Sequence, residues 1–235
     1  MSVRGFFVTG TDTGVGKTRV SLGLMRTLQA QGHRVSGMKP VASGCRSGAG
    51  GPENADALEL QRRSSLPVSC AQVNPYPFLP AVAPHIAARR DGVNIQLSVI
   101  RAHFHALSKQ ADFVVVEGVG GWLVPINAEQ TMQDVALALD LPVVLVVAIR
   151  LGCLNHALLT AAAIHRSGLR MAGWVANRMD PACEYTDELV ADLEQRLPAP
   201  LLADVRFARG CGAVEKQLGG MVTEALLRDL GASRT

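Results

Sequence analysis

Residues Gly10 to Thr18, GTDTGVGKT, follow an apolar run directly and lead straight into a stretch with helical spacing. A phosphate-binding loop needs that placement. Backbone N–H groups and a helix N-terminus converge on the anion, Lys17 neutralises it, and the Thr18 hydroxyl can ligate Mg²⁺. The spacing is unusual, with five residues and not four between Gly10 and Gly16, and Thr11 in place of the common first glycine. An ordinary glycine turn is the plain alternative, but the strand, the Gly-Lys-Thr ending and the helix together favour phosphate binding.

A second stretch, FVVVEGVGG from Phe113 to Gly121, ends an apolar run on an acid and continues as a glycine-rich turn. An acid at the carboxyl end of a strand beside the P-loop strand is suited to Mg²⁺, and the glycines let amides approach a phosphate. Glu117 is thus a candidate metal ligand. Lys39 closes another apolar run, before Pro40. A lysine at a strand end can reach an anion in the crevice of an open α/β sheet, or it can snorkel into water; spacing alone does not choose. Asp56, near the start of a helical stretch, reads first as a helix cap.

Short apolar runs supply the positioning elements: Phe6 to Thr9, Val35 to Lys39, Phe113 to Glu117, Val143 to Ala148 and Ala172 to Asn177. Continuous hydrophobicity marks strands covered on both faces. Helical spacing over Thr18 to Gln31, Ala55 to Arg63, Leu97 to Lys109, Asn155 to Ser167 and Glu184 to Arg196 fills the intervals, with Gly32 and Gly168 as stops. The alternation predicts an α/β fold, a mostly parallel sheet with helices on both faces and P-loop NTPase architecture. Ser43 to Pro52, SGCRSGAGGP, has no periodicity and reads as a mobile loop without a domain boundary. One domain over residues 1–235 is expected.

Composition excludes several classes. With 48% hydrophobic and 18% charged residues the chain can bury a large core. The net charge of +3 is dispersed, and basic residues adjoin only in pairs such as Arg89 and Arg90, so nucleic acid is not an expected partner. Leu141 to Ile149 is far short of the roughly 20 apolar residues that span a bilayer. The five cysteines, Cys45, Cys70, Cys153, Cys183 and Cys211, form no C-x-x-C pair, which argues against a zinc site or a disulfide framework. A soluble, cytoplasmic chain without a membrane partner is expected.

Taken together, the motifs resemble the dethiobiotin synthetases. Besides GTDTGVGKT, similar stretches are MKPVASG from Met38, NADALELQRRSSL from Asn54, VNPYPF from Val73, VVVEGVGGW from Val114, LGCLNHALLT from Leu151 and AGWVAN from Ala172. They occur in order over most of the chain, and the five-residue P-loop gap is the family's own. The resemblance implies ATP-dependent carboxylation and ring closure of 7,8-diaminononanoate with carbon dioxide, through a carbamate and a carbamic-phosphoric mixed anhydride. It makes Thr18, Asp56 and Glu117 the Mg²⁺ ligands and Lys17 and Lys39 the cations at the reacting groups. Thr11 and Ser43 would bond the carbamate or diamine. Gly14, Val15, Gly16 and Gly120 would surround the ATP phosphates, and Asn177 would read the adenine.

The same resemblance implies a homodimer in which the substrate carboxylate crosses to Gly152, Cys153 and Asn155 of the other subunit, with Tyr185 assisting nearby. From the residues alone, that segment is an ordinary helix capped by Asn155. The chain departs from the family where Gly14 replaces a Glu found in some members and where Arg206 replaces a Pro before an aromatic, here Phe207. The family's tyrosine falls one turn beyond Tyr185, at Leu189. Nothing is assigned to the tail from Arg209. Two rival readings stand beside it. One, an assembly switch of the partitioning-ATPase type, shares the deviant loop but usually carries an extra lysine early in it, and Thr11 to Val15 here contains none. The other is a cobyrinate-type amidoligase, which carries a further glutaminase domain.

Overall fold

The structure, a computed structural model, describes residues 4–207 and 217–218. Met1 to Val3, Cys211 and the tail from Arg209, apart from Gln217 and Leu218, lie outside the described residues. The strands are β1 (Gly5–Gly10), β2 (Val35–Met38), β3 (Val41–Ala42), β4 (Arg46–Gly48), β5 (Gly51–Glu53), β6 (Tyr76–Pro77), β7 (Phe113–Glu117), β8 (Val143–Ala148), β9 (Met171–Asn177) and β10 (Leu201–Val205). The helices are α1 (Lys17–Ala30), α2 (Ala55–Arg63), α3 (Cys70–Val73), α4 (Pro84–Arg90), α5 (Leu97–Ser108), α6 (Met132–Leu139), α7 (Cys153–Arg166) and α8 (Thr186–Arg196).

Six strands form a wholly parallel sheet in the order β10-β9-β8-β1-β7-β2. The continuous apolar runs arise because alternate side chains enter two separate cores. Phe6, Val8, Val115, Val144 and Val146 pack against α1 and α2, where Leu24, Met25 and Leu60 meet them. Phe7, Val114, Val116, Leu145 and Val147 pack on the other face against α5 to α8, with Phe104, Val135, Ile164 and Leu193. Helices therefore cover both faces, as expected. Gly32 and Gly168 lie just past the ends of α1 and α7 with φ of +85° and +81°, the left-handed stop that the sequence indicated.

The register sets up the chemistry. Val8 stands opposite Glu117, and Met38 stands opposite Val116. Lys39, one residue beyond Met38, and Glu117 thus reach the same carboxyl edge of the sheet, beside the loop that follows β1. In an open parallel sheet this edge forms the ligand crevice.

Three expectations need correction. Ser43 to Pro52 is not an irregular loop throughout: β4 and β5 form an antiparallel hairpin pairing Arg46 with Glu53 and Gly48 with Gly51. The two strands are exposed or half-buried, so no hydrophobic alternation betrayed them, and the two-residue connection Ala49–Gly50 fits a tight turn. Asp56 does not cap α2; Asn54 does, its Oδ1 accepting from Ala57 N at 3.1 Å. Asn155 does not cap α7 either. The N-cap is Gly152, at φ +90°, and Asn155 lies inside the first helical turn.

Candidate active site

β1 hands the chain to α1 through Gly16, whose φ of +95° is left-handed and whose missing Cβ leaves room for the Asn177 amide. No side chain caps α1 and no acid occupies its first turn. Its first turn lines the crevice, and a helix start offers N–H groups without intrahelical partners and the positive end of the helix dipole. Lys17 is buried, its Nζ donating to the carbonyls of Asp12 (2.8 Å) and Gly120 (2.6 Å). Burial, and then the charge of Lys39, lower its pKa to about 8.

Glu117 ends β7 with only 1% of its surface exposed. Its Oε1 accepts from Thr18 Oγ1 at 2.9 Å and from Lys39 Nζ at 2.5 Å, while its Oε2 has no partner. Lys39 Nζ also reaches Asp56 Oδ2 at 3.2 Å. Burial by itself would lower the Lys39 pKa, but the charges of Glu117 and Asp56 outweigh it and raise it. At 3% exposure Lys39 does not snorkel. Its backbone is pinned on both sides, since Lys39 N donates to Val73 O at 2.8 Å and Asn74 Nδ2 donates to Lys39 O at 2.7 Å.

The residues fit a magnesium ion. Thr18, Asp56 and Glu117 bring hard oxygen donors to one point, and the orphaned Glu117 Oε2 is a buried acceptor awaiting a cation. Among the described residues, no three His, Cys, Asp or Glu side chains gather as a metal site. Two carboxylates and a hydroxyl leave further positions to water and phosphate oxygens, the way Mg²⁺ is usually held.

These groups line a cleft of about 780 Å³ that takes in Gly14, Gly16, Lys17, Thr18, Lys39, Ser43, Asp56, Glu117 and Gly120 of the sequence-predicted set. Val15 lies beneath it, its carbonyl accepting from Asn177 Nδ2 at 2.8 Å. Thr11 opens instead on a neighbouring hollow of about 400 Å³ walled by Trp122, Leu123 and Leu159. Gly152, Cys153, Asn155 and Tyr185 do not line the cleft of this chain, and neither do Arg206 and Phe207. Tyr185 is 71% exposed at the start of α8. Sequence reasoning missed Arg19, Asn54, Glu59, Met179 and Ala81 to Pro84 in the cleft wall, and Asn74 behind it. The residues alone did not single out either asparagine: Asn54 and Asp56 both stand where a helix cap could lie, and Asn74 sits in a Pro-punctuated segment.

A protein-family model described as an AAA domain matches residues 4–214. An ATP-dependent dethiobiotin synthetase of Pseudomonas aeruginosa strain PAO1 is 52% identical over 85% of this chain and 88% of its own length. One from Xanthomonas axonopodis pv. citri is 48% identical over 91% and 96%. Among solved structures, cobyrinic acid a,c-diamide synthase of Mycobacterium smegmatis, with bound ADP and magnesium, aligns at TM-score 0.60 and 18% identity, over 98% and 96% of the two chains. The MinC:MinD cell division complex of Aquifex aeolicus aligns at 0.60 and 15%, over 99% and 98%. These two likenesses show the fold alone, whereas half-identity over most of the length is found with the synthetases. The chain belongs to the family of ATP-dependent dethiobiotin synthetases.

Proposed function

We propose that this cleft converts 7,8-diaminononanoate, carbon dioxide and ATP to dethiobiotin, ADP and phosphate, using the residues that converge at the carboxyl edge of β1, β2 and β7. The observation that carries the reading is this convergence of Lys17, Lys39, Glu117 and Asp56, in a chain half-identical to synthetases of that reaction. In the first step one amine attacks carbon dioxide and loses a proton, giving a carbamate. A carbamate oxygen then attacks the γ-phosphorus and ADP leaves. Finally the second amine attacks the anhydride carbon, loses its proton and expels phosphate as the ring closes.

Negative charge builds at each stage, so fixed cations and amides suit the task better than acid–base groups. Gly14, Val15, Gly16 and the start of α1 would bind the phosphates, with Gly120 opposite. Lys17 would span the carbamate and the moving phosphoryl group, Lys39 would balance charge on their oxygens, and Ser43 and Thr11 would hold the carbamate or diamine. Bound to Thr18, Asp56 and Glu117, Mg²⁺ would neutralise phosphate charge. Asn177, with Arg206 and Phe207 beyond it, would serve the base.

The enzyme is further read as a cytoplasmic homodimer whose substrate carboxylate meets the partner's Gly152, Cys153 and Asn155, helped by Tyr185. Supporting this, Leu159 (63% exposed) and Leu123 (54%) leave apolar surface at the hollow beside Thr11, and Leu151 (93%) stands exposed just ahead of α7. Supplying diaminononanoate, bicarbonate, Mg²⁺ and ATP should yield dethiobiotin by mass. ATP hydrolysis without that product, stimulated by a protein or lipid, would refute the reading.

A further inference from the structure

The metal ligands proposed above are already engaged by a cation of the chain itself. Lys39 Nζ lies 2.5 Å from Glu117 Oε1 and 3.2 Å from Asp56 Oδ2, and donates to Gly118 O at 3.3 Å. Thr18 Oγ1, the remaining ligand, spends its hydrogen on the same Glu117 oxygen, a bond a metal-ligating hydroxyl oxygen does not require. Mg²⁺ sits about 2.0–2.1 Å from its oxygens. An ion held by the same two carboxylates as the ammonium would stand within about 4–6 Å of it, and like charges so close in a largely buried pocket repel strongly. The Lys39 backbone is tied to Val73 and Asn74, so the ammonium itself moves by side-chain torsion. The open direction is the cleft, where Lys17, Ser43 and Gly120 form the wall.

We propose that Lys39 is a built-in counter-ion that competes with the metal: it neutralises Glu117 and Asp56 while no metal is bound, and metal entry turns its ammonium into the cleft. The inference rests on the Thr18, Asp56 and Glu117 metal reading and deepens it. Loading the metal delivers the second cation to the place where the carbamate and transferring phosphate carry charge. It also gives the buried Glu117 carboxylate a partner at every stage, which removes the large cost of an unpaired buried charge.

Mn²⁺ binding to the nucleotide-free protein, followed by electron paramagnetic resonance of the free ion, tests the competition. Lys39→Met should bind Mn²⁺ on the order of tenfold more tightly than wild type, because a competing positive charge is gone. Glu117→Gln should weaken binding in both backgrounds. If Glu117→Gln changes nothing, the metal reading fails, and the counter-ion with it. If Glu117→Gln weakens binding while Lys39→Met does not tighten it, the counter-ion alone is overturned. Because Lys39→Met strands a buried carboxylate and can unfold, a second measurement uses wild type. Crystal structures with ADP alone and with ADP and Mg²⁺ should show the ammonium on Glu117 in the first and beyond hydrogen-bond reach of both carboxylates in the second. An ammonium still bonded to Glu117 beside a bound metal overturns the proposal.

Discussion

Single side chains at the sheet edge separate electrostatics from scaffolding. Lys39→Gln removes the buried charge but keeps the length, so turnover should fall by about two to three powers of ten, as on losing a preorganised stabiliser. ATP binding, measured by calorimetry, should survive far better; near-normal turnover would contradict a role at the reacting oxygens. Asn54 and Asp56 make a sharper pair. Asn54 holds the first turn of α2 and Asp56 faces Lys39. Asn54→Ala should cost about 1 kcal/mol of stability, the usual worth of an N-cap, with unchanged Mg²⁺ dependence. Asp56→Asn should keep the melting temperature within a few degrees and shift the Mg²⁺ activation curve to higher concentration. Reversed outcomes would restore Asp56 as the cap. That exchange of roles was not legible in the residues, because Asn and Asp both cap helices and only the geometry shows which oxygen meets Ala57 N.

At the level of elements, what matters is that β2 and β7 stay in register, because Lys39 and Glu117 follow from it. Arg34 and Asp112 stitch the opposite ends of these strands: Arg34 Nη2 donates to Asp112 Oδ1 at 2.8 Å and Arg34 N to Asp112 Oδ2 at 2.8 Å. The side-chain bond from Arg34, and then its backbone N–H, hold the Asp112 pKa down to about 2. A carboxyl depressed on folding stabilises above its unfolded pKa and loses that contribution as pH falls through the folded one. With 39% of the Asp112 side chain exposed, solvent screening limits the pair to the surface-bridge range. Asp112→Asn should therefore lower the melting temperature by about 1–3 °C at neutral pH. The gap should close between about pH 4 and pH 2 in thermal melts. A constant offset across that range would mean that packing, not charge, joins the strands.

For the whole molecule, one chain holds only part of the proposed substrate site. The cleft carries the proposed phosphate and metal groups, while Asn155 and Tyr185 lie exposed and outside its lining. Asn155→Ala should raise KM for diaminononanoate several-fold and leave that for ATP nearly unchanged. A mixed dimer of Asn155→Ala and Lys39→Gln subunits should have one site with both defects and one with neither, hence about half of wild-type activity. A fully active monomer, or a mixed dimer as inactive as its parents, would rule out a shared site.

The α/β alternation, the P-loop and the strand-end residues Lys39 and Glu117 could be determined from sequence alone, because each depends on local order: a run, a period, a residue after a strand. The hairpin at Arg46 to Glu53, the cap at Asn54 and the pinning of Lys39 by Asn74 could not. They depend on which segments meet in space. The same holds for strand order. Nothing in the chain between Met38 and Phe113 states that β7 will insert between β1 and β2, yet that insertion alone brings Glu117 within hydrogen-bond reach of both Thr18 and Lys39. Residue types selected the chemistry; long-range parallel pairing, which buries both faces of each strand, decided where the charges converge.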